Sequence, residues 1–425
     1  MRAQSSPSSS KPDAGFNKAS SLQPPTPEAA AHSRAMEAAL RREIEGAVGW
    51  IGLDRYLDLV LHAPGLGYYA AGAAKFGLWA EDGSDFVTAP ELSPFFARTL
   101  ARQLAEVLDG DLSRVLEFGA GSGKLAAGLV LELDRLGAPL AQYAILELSG
   151  ELRARQQARL AEAFAQAGKP ELIERLAWLD ALPEDFRGVM LGNEVLDAMP
   201  VRLFARQSGV WVERGVGWEE GAVAGAAGRL VWRDRPVFLP AAGPLPAMLE
   251  QVPGDHDYLA EVHEAGQGFM RSLARSLARG LILQFDYGFP QHEYYHPQRT
   301  GGTLMGHYRH QSHGDPFLYP GLSDLTAHVN FTAMAEAADE AGLDVLGYTS
   351  QANFLLNAGL PALLAELDPA DAARYLPQVN GAHKLVSEAE MGELFKVLAL
   401  GKGLEGERPR LPLTGFARGD RTHTL

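Results

Sequence analysis

The 425-residue chain has no cysteine. That absence excludes a disulfide framework, a thiolate nucleophile and a cysteine-bound zinc. No apolar run approaches the roughly 20 residues that cross a bilayer as a helix, so no spanning helix is expected. Basic residues are scarce, with 38 Lys and Arg against 53 Asp and Glu, leaving a net charge of −15. That balance argues against broad binding to nucleic acid or anionic membranes, although it leaves a local basic groove open. It suits a cationic substrate. A G-x-S-x-G nucleophile elbow is also missing. The first 33 residues are rich in Ser, Pro and Ala and lack an apolar h-region. A secretory signal is therefore excluded, and a disordered tail is predicted. The alternative is a transit peptide, since Arg2, Lys11 and Lys18 outnumber Asp13 and Glu28.

What remains is ordinary globular composition, 46% hydrophobic and 21% charged, long enough for two or three domains. Its most informative stretch is residues 115–124, Val-Leu-Glu-Phe-Gly-Ala-Gly-Ser-Gly-Lys. An apolar run ends in an acid, glycine then falls at alternate positions, and Leu125-Ala126-Ala127 can open a helix. Such a strand–turn–helix lets a nucleotide-like ligand approach the backbone at the carboxyl edge of a parallel sheet. A dinucleotide fingerprint would need glycine where Lys124 stands, and a P-loop would need Ser or Thr where Leu125 stands. The acid two residues before the first glycine suits S-adenosylmethionine (SAM), whose ammonium a carboxylate can meet. A turn without a ligand is the bland alternative. Tyr143 to Glu147 is a second short apolar run ending in an acid, where a ribose would be received.

Strands are predicted near 114–118, 143–147, 189–193 and 281–286, with a short one at Trp178-Leu179. Helices are predicted within 34–62, over 93–108, 124–136 and 330–341, and from Gln267 to Arg279 with Gly280 as C-cap. A late strand falls at 343–349 and a late helix near 388–399. This alternation implies an α/β fold, a parallel doubly wound sheet with helices on both faces. The expected organisation is a tail to residue 33 and a helical N-terminal region over 34–110. The ligand-binding core follows over 111–199, with an inserted β-rich cap over 200–260. The rest of the core spans 261–350, with a long irregular loop at 288–323. A C-terminal cap covers 351–401 and a mobile tail 402–425.

The cofactor candidates are Glu117 at the methionine end, Gly119, Ala120, Gly121 and Gly123 in the turn, Glu147 on ribose, and Asn193. Asn193-Glu194 and Asp197 end the fourth strand, which a doubly wound sheet brings beside the first at the switch point. A guanidinium or amine acceptor needs carboxylates to orient it, and Glu194 can hold a guanidinium bidentately. Asp197 and Asp286 are further catalytic candidates. The plain alternatives are helix capping for Asn193 and Asp197, and a turn for Asp286. His307, His310 and His313 have a spacing compatible with metal, but without cysteine or a placed acid no metal site is predicted.

Taken in order, these motifs resemble the MidA/NDUFAF-seven group of SAM-dependent methyltransferases across most of residues 45–400. The resemblance rests on Gly67-Tyr68-Tyr69, Asp85 to Ser93, Glu117 to Gly123, and Tyr143 to Ser149 with Leu152, Arg153 and Gln156. It continues through Asn193-Glu194 with Asp197-Ala198 and Pro200, Asp286-Tyr287-Gly288, His310, Pro320-Gly321, Asp324 to Val329, Phe331, and Met391-Gly392-Glu393 with Phe395 to Leu398. The chain departs from the pattern at Ser84, Ser122 and Ala265. The resemblance implies a class I methyltransferase fold with a helical N-terminal region and inserted and C-terminal caps. It also implies SAM as cofactor, methylation of arginine on a protein, and a link to assembly of respiratory complex I, one of whose subunits would be the substrate. A non-catalytic SAM-binding assembly factor and a small-molecule methyltransferase are the alternatives. No clear targeting segment points to the cytoplasm, and the resemblance adds the mitochondrial matrix as the alternative.

Overall fold

The computed structural model describes residues 22–70, 88–221, 228–237, 245–404, 409 and 411–425. The chain begins with helix α1 (Pro27–Gly46), whose cap Thr26 accepts a hydrogen bond from the Ala29 amide at 3.3 Å. The expected tail to residue 33 is thus helical from Pro27, where Met36, Leu40 and Ile44 recur at helical spacing and are buried. Residues 1–21 of that tail lie outside the described residues, as do Ser84 to Val87. A two-residue strand β1 (Ile51–Gly52) leads into α2 (Leu53–His62).

Next come α3 (Ala89–Leu92) and α4 (Pro94–Val107), and then the core alternation of β2 (Arg114–Phe118), α5 (Lys124–Arg135), β3 (Gln142–Leu146), α6 (Gly150–Gln166), β4 (Leu176–Leu179) and β5 (Phe186–Asn193). Ser93 caps α4 through the Phe95 amide, and Pro94 supplies the first-turn proline that needs no donor. Helix α4 crosses α5 where Gly128 faces Ala97; a Cβ on Gly128 would stand 2.6 Å from the Ala97 methyl.

The stretch read as an insertion holds β6 (Arg202–Gln207), β7 (Val210–Glu219) and β8 (Arg229–Pro236). It reaches beyond its predicted bounds. Strand β9 (Tyr258–Val262) pairs with β6, and β1 pairs with β7, so the insertion's sheet is closed by a strand from the N-terminal region.

After α7 (Glu264–Ser276) comes β10 (Leu277–Phe289). The helix therefore stops earlier than expected. Gly280 is a strand residue rather than a helix cap, because tertiary pairing overrides its local signal. A Cβ there would sit 1.8 Å from the Gly188 carbonyl oxygen of neighbouring β5. The supposed irregular loop at 288–323 holds α8 (Gln291–Tyr294), β11 (Met305–Tyr308) and β12 (Gln311–His313), and β11 also pairs with β13 (Asp324–Thr326) in a small three-stranded sheet. Beyond β14 (Val329–Asn330), α9 (Phe331–Asp339) and β15 (Asp344–Ser350) match expectation.

Helices α10 (Gln351–Asn357), α11 (Leu360–Leu364) and α12 (Ala372–Val386) occupy the stretch read as a C-terminal cap. The helix expected near 388–399 is instead strand β16 (Phe395–Lys402). Its first seven residues are buried, so it shows no alternation that would separate strand from helix.

The core sheet runs β15-β16-β10-β5-β2-β3-β4. Strands β2 to β5 and β10 are parallel, and β16 is antiparallel to both its neighbours, so the sheet is mixed rather than wholly parallel. One face packs Phe96, Phe285 and Phe354 edge-to-face at 5.4 and 5.2 Å. The other buries Met270, Leu273, Phe331 and Met334 of α7 and α9 against Leu116, Met190 and Ile282. The last residues are not loose. Leu413 and Phe416 are buried, and the Arg421 amide donates to the Tyr348 carbonyl at 2.6 Å.

Candidate functional site

Strand β2 ends at Phe118, and the chain then turns through Gly119, Gly121 and Gly123 with φ of 60, 52 and 80°. All three lie in the left-handed region, which glycine enters freely and a side chain does not. The turn is braced from two sides. Gln156 of α6, fully buried, donates through one amide nitrogen to the Gly121 carbonyl and to Glu147, both at 3.1 Å, and its oxygen accepts from Trp178 at 3.0 Å. Glu91 of α3 accepts from the Ser122 hydroxyl at 2.5 Å and from the Lys124 ammonium at 3.2 Å.

The turn opens on a cavity of about 960 Å³ at the carboxyl ends of β2, β3 and β5. Its volume lies at the large end of small-molecule sites. Glu117, Gly119, Ala120, Gly121, Glu147, Asn193 and Glu194 all line it, so the structure brings these predicted residues together. Gly123 sits just behind, opening α5.

Three of the acids that line the cavity, one from the end of each of β2, β3 and β5, differ in what they meet. Glu147 accepts from the Ser149 amide at 2.9 Å and from Gln156. Glu117 is buried against the Tyr143 hydroxyl at 2.7 Å, and burial lifts its pKa to about 7 against the lowering effect of that hydrogen bond. Glu194 sits at φ 55°, a left-handed glutamate. Desolvation first and the Asp197 charge second raise its pKa to about 8, opposed by the hydrogen bond from Asn193 at 3.1 Å. Among the described residues no Lys or Arg pairs with Glu194. Strain of this kind costs about 1–3 kcal/mol and collects at functional sites.

Asp197 and Asp286 stand behind this wall rather than on it. One Asp286 oxygen, reaching from β10, accepts the Leu196 and Asp197 amides at 2.9 and 3.2 Å, and the other accepts the Tyr287 amide at 2.9 Å. It therefore staples the loop after β5. Asp197 is buried, its pKa lifted to about 6 by desolvation, and its Oδ1 has no hydrogen-bond partner. Neither residue lines the cavity.

A further wall went unpredicted as functional. Asp58 and His62 of α2, with Tyr69 just beyond, line the cavity from the N-terminal region. His62 stacks on Tyr69 at 5.6 Å, and the Tyr69 hydroxyl donates to Asp324 at 2.9 Å. The one sequence signal was Gly67-Tyr68-Tyr69. Gln156 and Glu91 fall within the motifs that carry the resemblance, but their bracing of the turn was not predicted. The histidines near His307 form no metal cluster among the described residues. His313 instead contacts the Ser323 hydroxyl at 3.3 Å.

SAM fits this cavity on the chain's own features. A turn of three left-handed glycines faces it, acids end both β2 and β3, and the half-buried Asn193 has an Oδ1 without a partner. Glycine turn, acids and strand order together define a class I SAM-dependent methyltransferase.

Comparison with known proteins agrees. Residues 98–349 match the profile of Methyltransf_28, a family of S-adenosyl-L-methionine-dependent methyltransferases, and the chain belongs to it. A Burkholderia thailandensis protein crystallised with S-adenosyl-homocysteine is 57% identical, with a TM-score of 0.87, covering 95% of this chain and 100% of that one. A native crystal structure from the same organism is 55% identical, with a TM-score of 0.84 and the same coverage. Among curated relatives, the Drosophila melanogaster protein arginine methyltransferase NDUFAF7 homolog, mitochondrial, is 25% identical over 96% of this chain and 95% of its own length. The Danio rerio protein arginine methyltransferase NDUFAF7, mitochondrial, is 27% identical over 83% and 84%. The family drawn from the motifs is thereby confirmed, and with it SAM as the cofactor.

Proposed function

We propose that this methyltransferase methylates arginine on a protein substrate, with Glu194 holding the acceptor guanidinium. The carrying observation is Glu194 itself, a strained glutamate on the cavity wall whose carboxyl is pushed up to about 8 and which no cation pairs among the described residues. A guanidinium seated there relieves the desolvation that raises that pKa, and its planar fork matches a carboxylate bidentately. The names of the curated relatives support arginine on a protein over a small metabolite.

SAM, when bound, supplies a methyl group on a sulfonium, an activated leaving group that needs no metal. Glu117, Gly119, Ala120, Gly121, Gly123, Glu147 and Asn193 are assigned to its binding, with Glu117 toward the methionine end and Glu147 toward ribose. Glu194 aligns the acceptor nitrogen, and alignment alone can supply much of the rate. Asp197 and Asp286 hold the Glu194 loop and act through it. A complex I subunit, expected from the family resemblance, is the first acceptor to try. The word mitochondrial in the relatives' names supports the matrix alternative and not the cytoplasmic one.

The test is transfer of labelled methyl from SAM into a lysate lacking this protein, with wild type or Glu194→Gln added back. A discrete labelled band with wild type alone, and methylarginine on its hydrolysis, supports the proposal. Label in lysine or in small molecules overturns it.

A further inference from the structure

Methylation of a guanidinium leaves a proton to dispose of. The acceptor nitrogen forms the N–C bond with its lone pair, the S–C bond breaks with its pair to sulfur, and one N–H proton departs so that the product keeps a single charge. We propose that His62 takes up this proton and that Asp58 passes it to solvent. The inference rests on the arginine reading above.

Among the described residues the cavity is lined by His62 and six acids, of which Glu147 already holds the Ser149 amide and Gln156, Glu91 holds Ser122 and Lys124, and Glu151 pairs with Arg155. Glu194 is committed to the guanidinium as its counter-ion. Glu117 is engaged by the Tyr143 hydroxyl at the end of β2. The imidazole of His62 remains, on the wall that α2 contributes beside the loop carrying Glu194.

Its ring is held on two sides. Tyr69 stacks against it at 5.6 Å with an interplanar angle of 19°, and the Ala198 backbone, four residues past Glu194, hydrogen-bonds it. A hydrogen bond from one ring nitrogen to that backbone leaves the other nitrogen with its lone pair, the form a base needs. His62 keeps solvent contact while the wall around it desolvates the ring and lowers its pKa from 6.5, so it is neutral at pH 7.

Among the described residues, the titratable and charged groups facing it are few. Asp58 lies one turn back on the same helix. Tyr69 follows in the next loop, tied by its hydroxyl to Asp324 of β13. Asp58 also lines the cavity, is about half exposed, and meets Arg55 at 2.7 Å. It thus sets a solvent-exposed carboxylate close enough to act on the charge of the ring. A general base of this kind contributes typically 10²–10⁴-fold.

The experiment is single-turnover methyl transfer by the full chain into the lysate acceptor across pH 6 to 9, for wild type and His62→Gln. SAM affinity is measured by calorimetry in parallel. The expected result is wild-type transfer that levels off by about pH 7. His62→Gln should be about 100-fold slower at pH 7 and should climb with pH throughout, with SAM affinity unchanged. Equal rates and parallel pH profiles for the two proteins overturn the proposal, as does a loss traced to acceptor KM alone.

A second readout is independent of turnover. The His62 imidazole in wild type, assigned by its loss in His62→Gln or by the displacement of its resonance in Asp58→Asn, should titrate below 6.5 by NMR. A ring still charged at pH 7.5 overturns the proposal, and this measurement decides it if His62→Gln does not fold. No labelling of arginine by wild type overturns the arginine reading and this one together, whereas equal labelling by both proteins overturns this one alone.

Discussion

Two loops meet at the cavity, and both enter left-handed backbone. The loop after β2 does so at Gly119, Gly121 and Gly123, whereas the loop after β5 does so at Glu194. Glycine there costs the folded state nothing in sterics, and it brings bare backbone to the ligand. A glutamate costs about 1–3 kcal/mol, which the surroundings must impose. Asp286 imposes it by stapling the two amides just beyond Glu194. The comparison separates two uses of one conformation: the first loop offers a backbone surface, the second offers a single carboxylate.

The sharpest way to break that contrast is Glu194→Gln. Transfer should fall about 1,000-fold, at the upper part of the range seen when a group acting on the transition state is lost, while SAM affinity changes less than threefold. Glu194→Gly should be equally inactive yet lose no thermal stability, because glycine adopts φ 55° without strain. A marked drop in its Tm would mean that the glutamate side chain, not the backbone, holds the loop.

Gly121→Val reverses the pattern. A β-branched residue at φ 52° refolds the turn, so SAM affinity by calorimetry should fall by about 100-fold or more. Unchanged affinity in a folded protein would remove the turn from the cofactor site.

Asp286→Ala leaves three amides without an acceptor. Stability should fall by about 3 kcal/mol in denaturant unfolding, with transfer lost along with it. Asp286→Asn keeps one oxygen and should recover part of both.

The acids give a pH signature. Folded-state pKa values of about 8, 7 and 6 for Glu194, Glu117 and Asp197 all lie above the ordinary 4.5 or 3.8. The folded protein therefore holds more protons than the unfolded chain across that window, and these groups' contribution to stability falls as pH rises from about 4 to 8 and is flat beyond. Thermal melts of the ligand-free protein at pH 5, 7 and 8.5 should show this fall, and Glu194→Gln should remove the part above pH 7. A flat profile would mean that the acids are already paired.

The smallest effect expected is Tyr143→Phe. It removes the hydrogen bond that opposes the rise of Glu117 and should cost about 1 kcal/mol.

The glycine turn, the acids at the ends of β2, β3 and β5, and the order of the strands were legible because each is a local signal. The sequence reading failed where a neighbour decides. Gly280 reads as a helix end because nothing nearby in sequence reveals that Gly188 lies against it. Phe395 to Lys402 reads as a helix because burial on both faces erases the alternation that marks a strand. Leu413 and Phe416, set among polar residues, gave no sign that they close the core. Asp286 was read as a catalytic candidate because it stands at the end of a core strand, yet its oxygens are already spent on backbone amides. The Asp58, His62 and Tyr69 wall lies some fifty residues before the glycine turn, and no spacing rule links them.

One contact described above sets a boundary on modularity. Glu91, upstream of the 98–349 stretch shared with the family profile, receives both Ser122 and Lys124 from the cofactor turn. A fragment trimmed to the shared stretch would keep every glycine and lose the anchor that fixes their loop. It would also lose the whole α2 wall. The smallest autonomous enzyme is thus larger than its recognisable core, and attempts to graft or dissect this methyltransferase have to carry the preceding helices along.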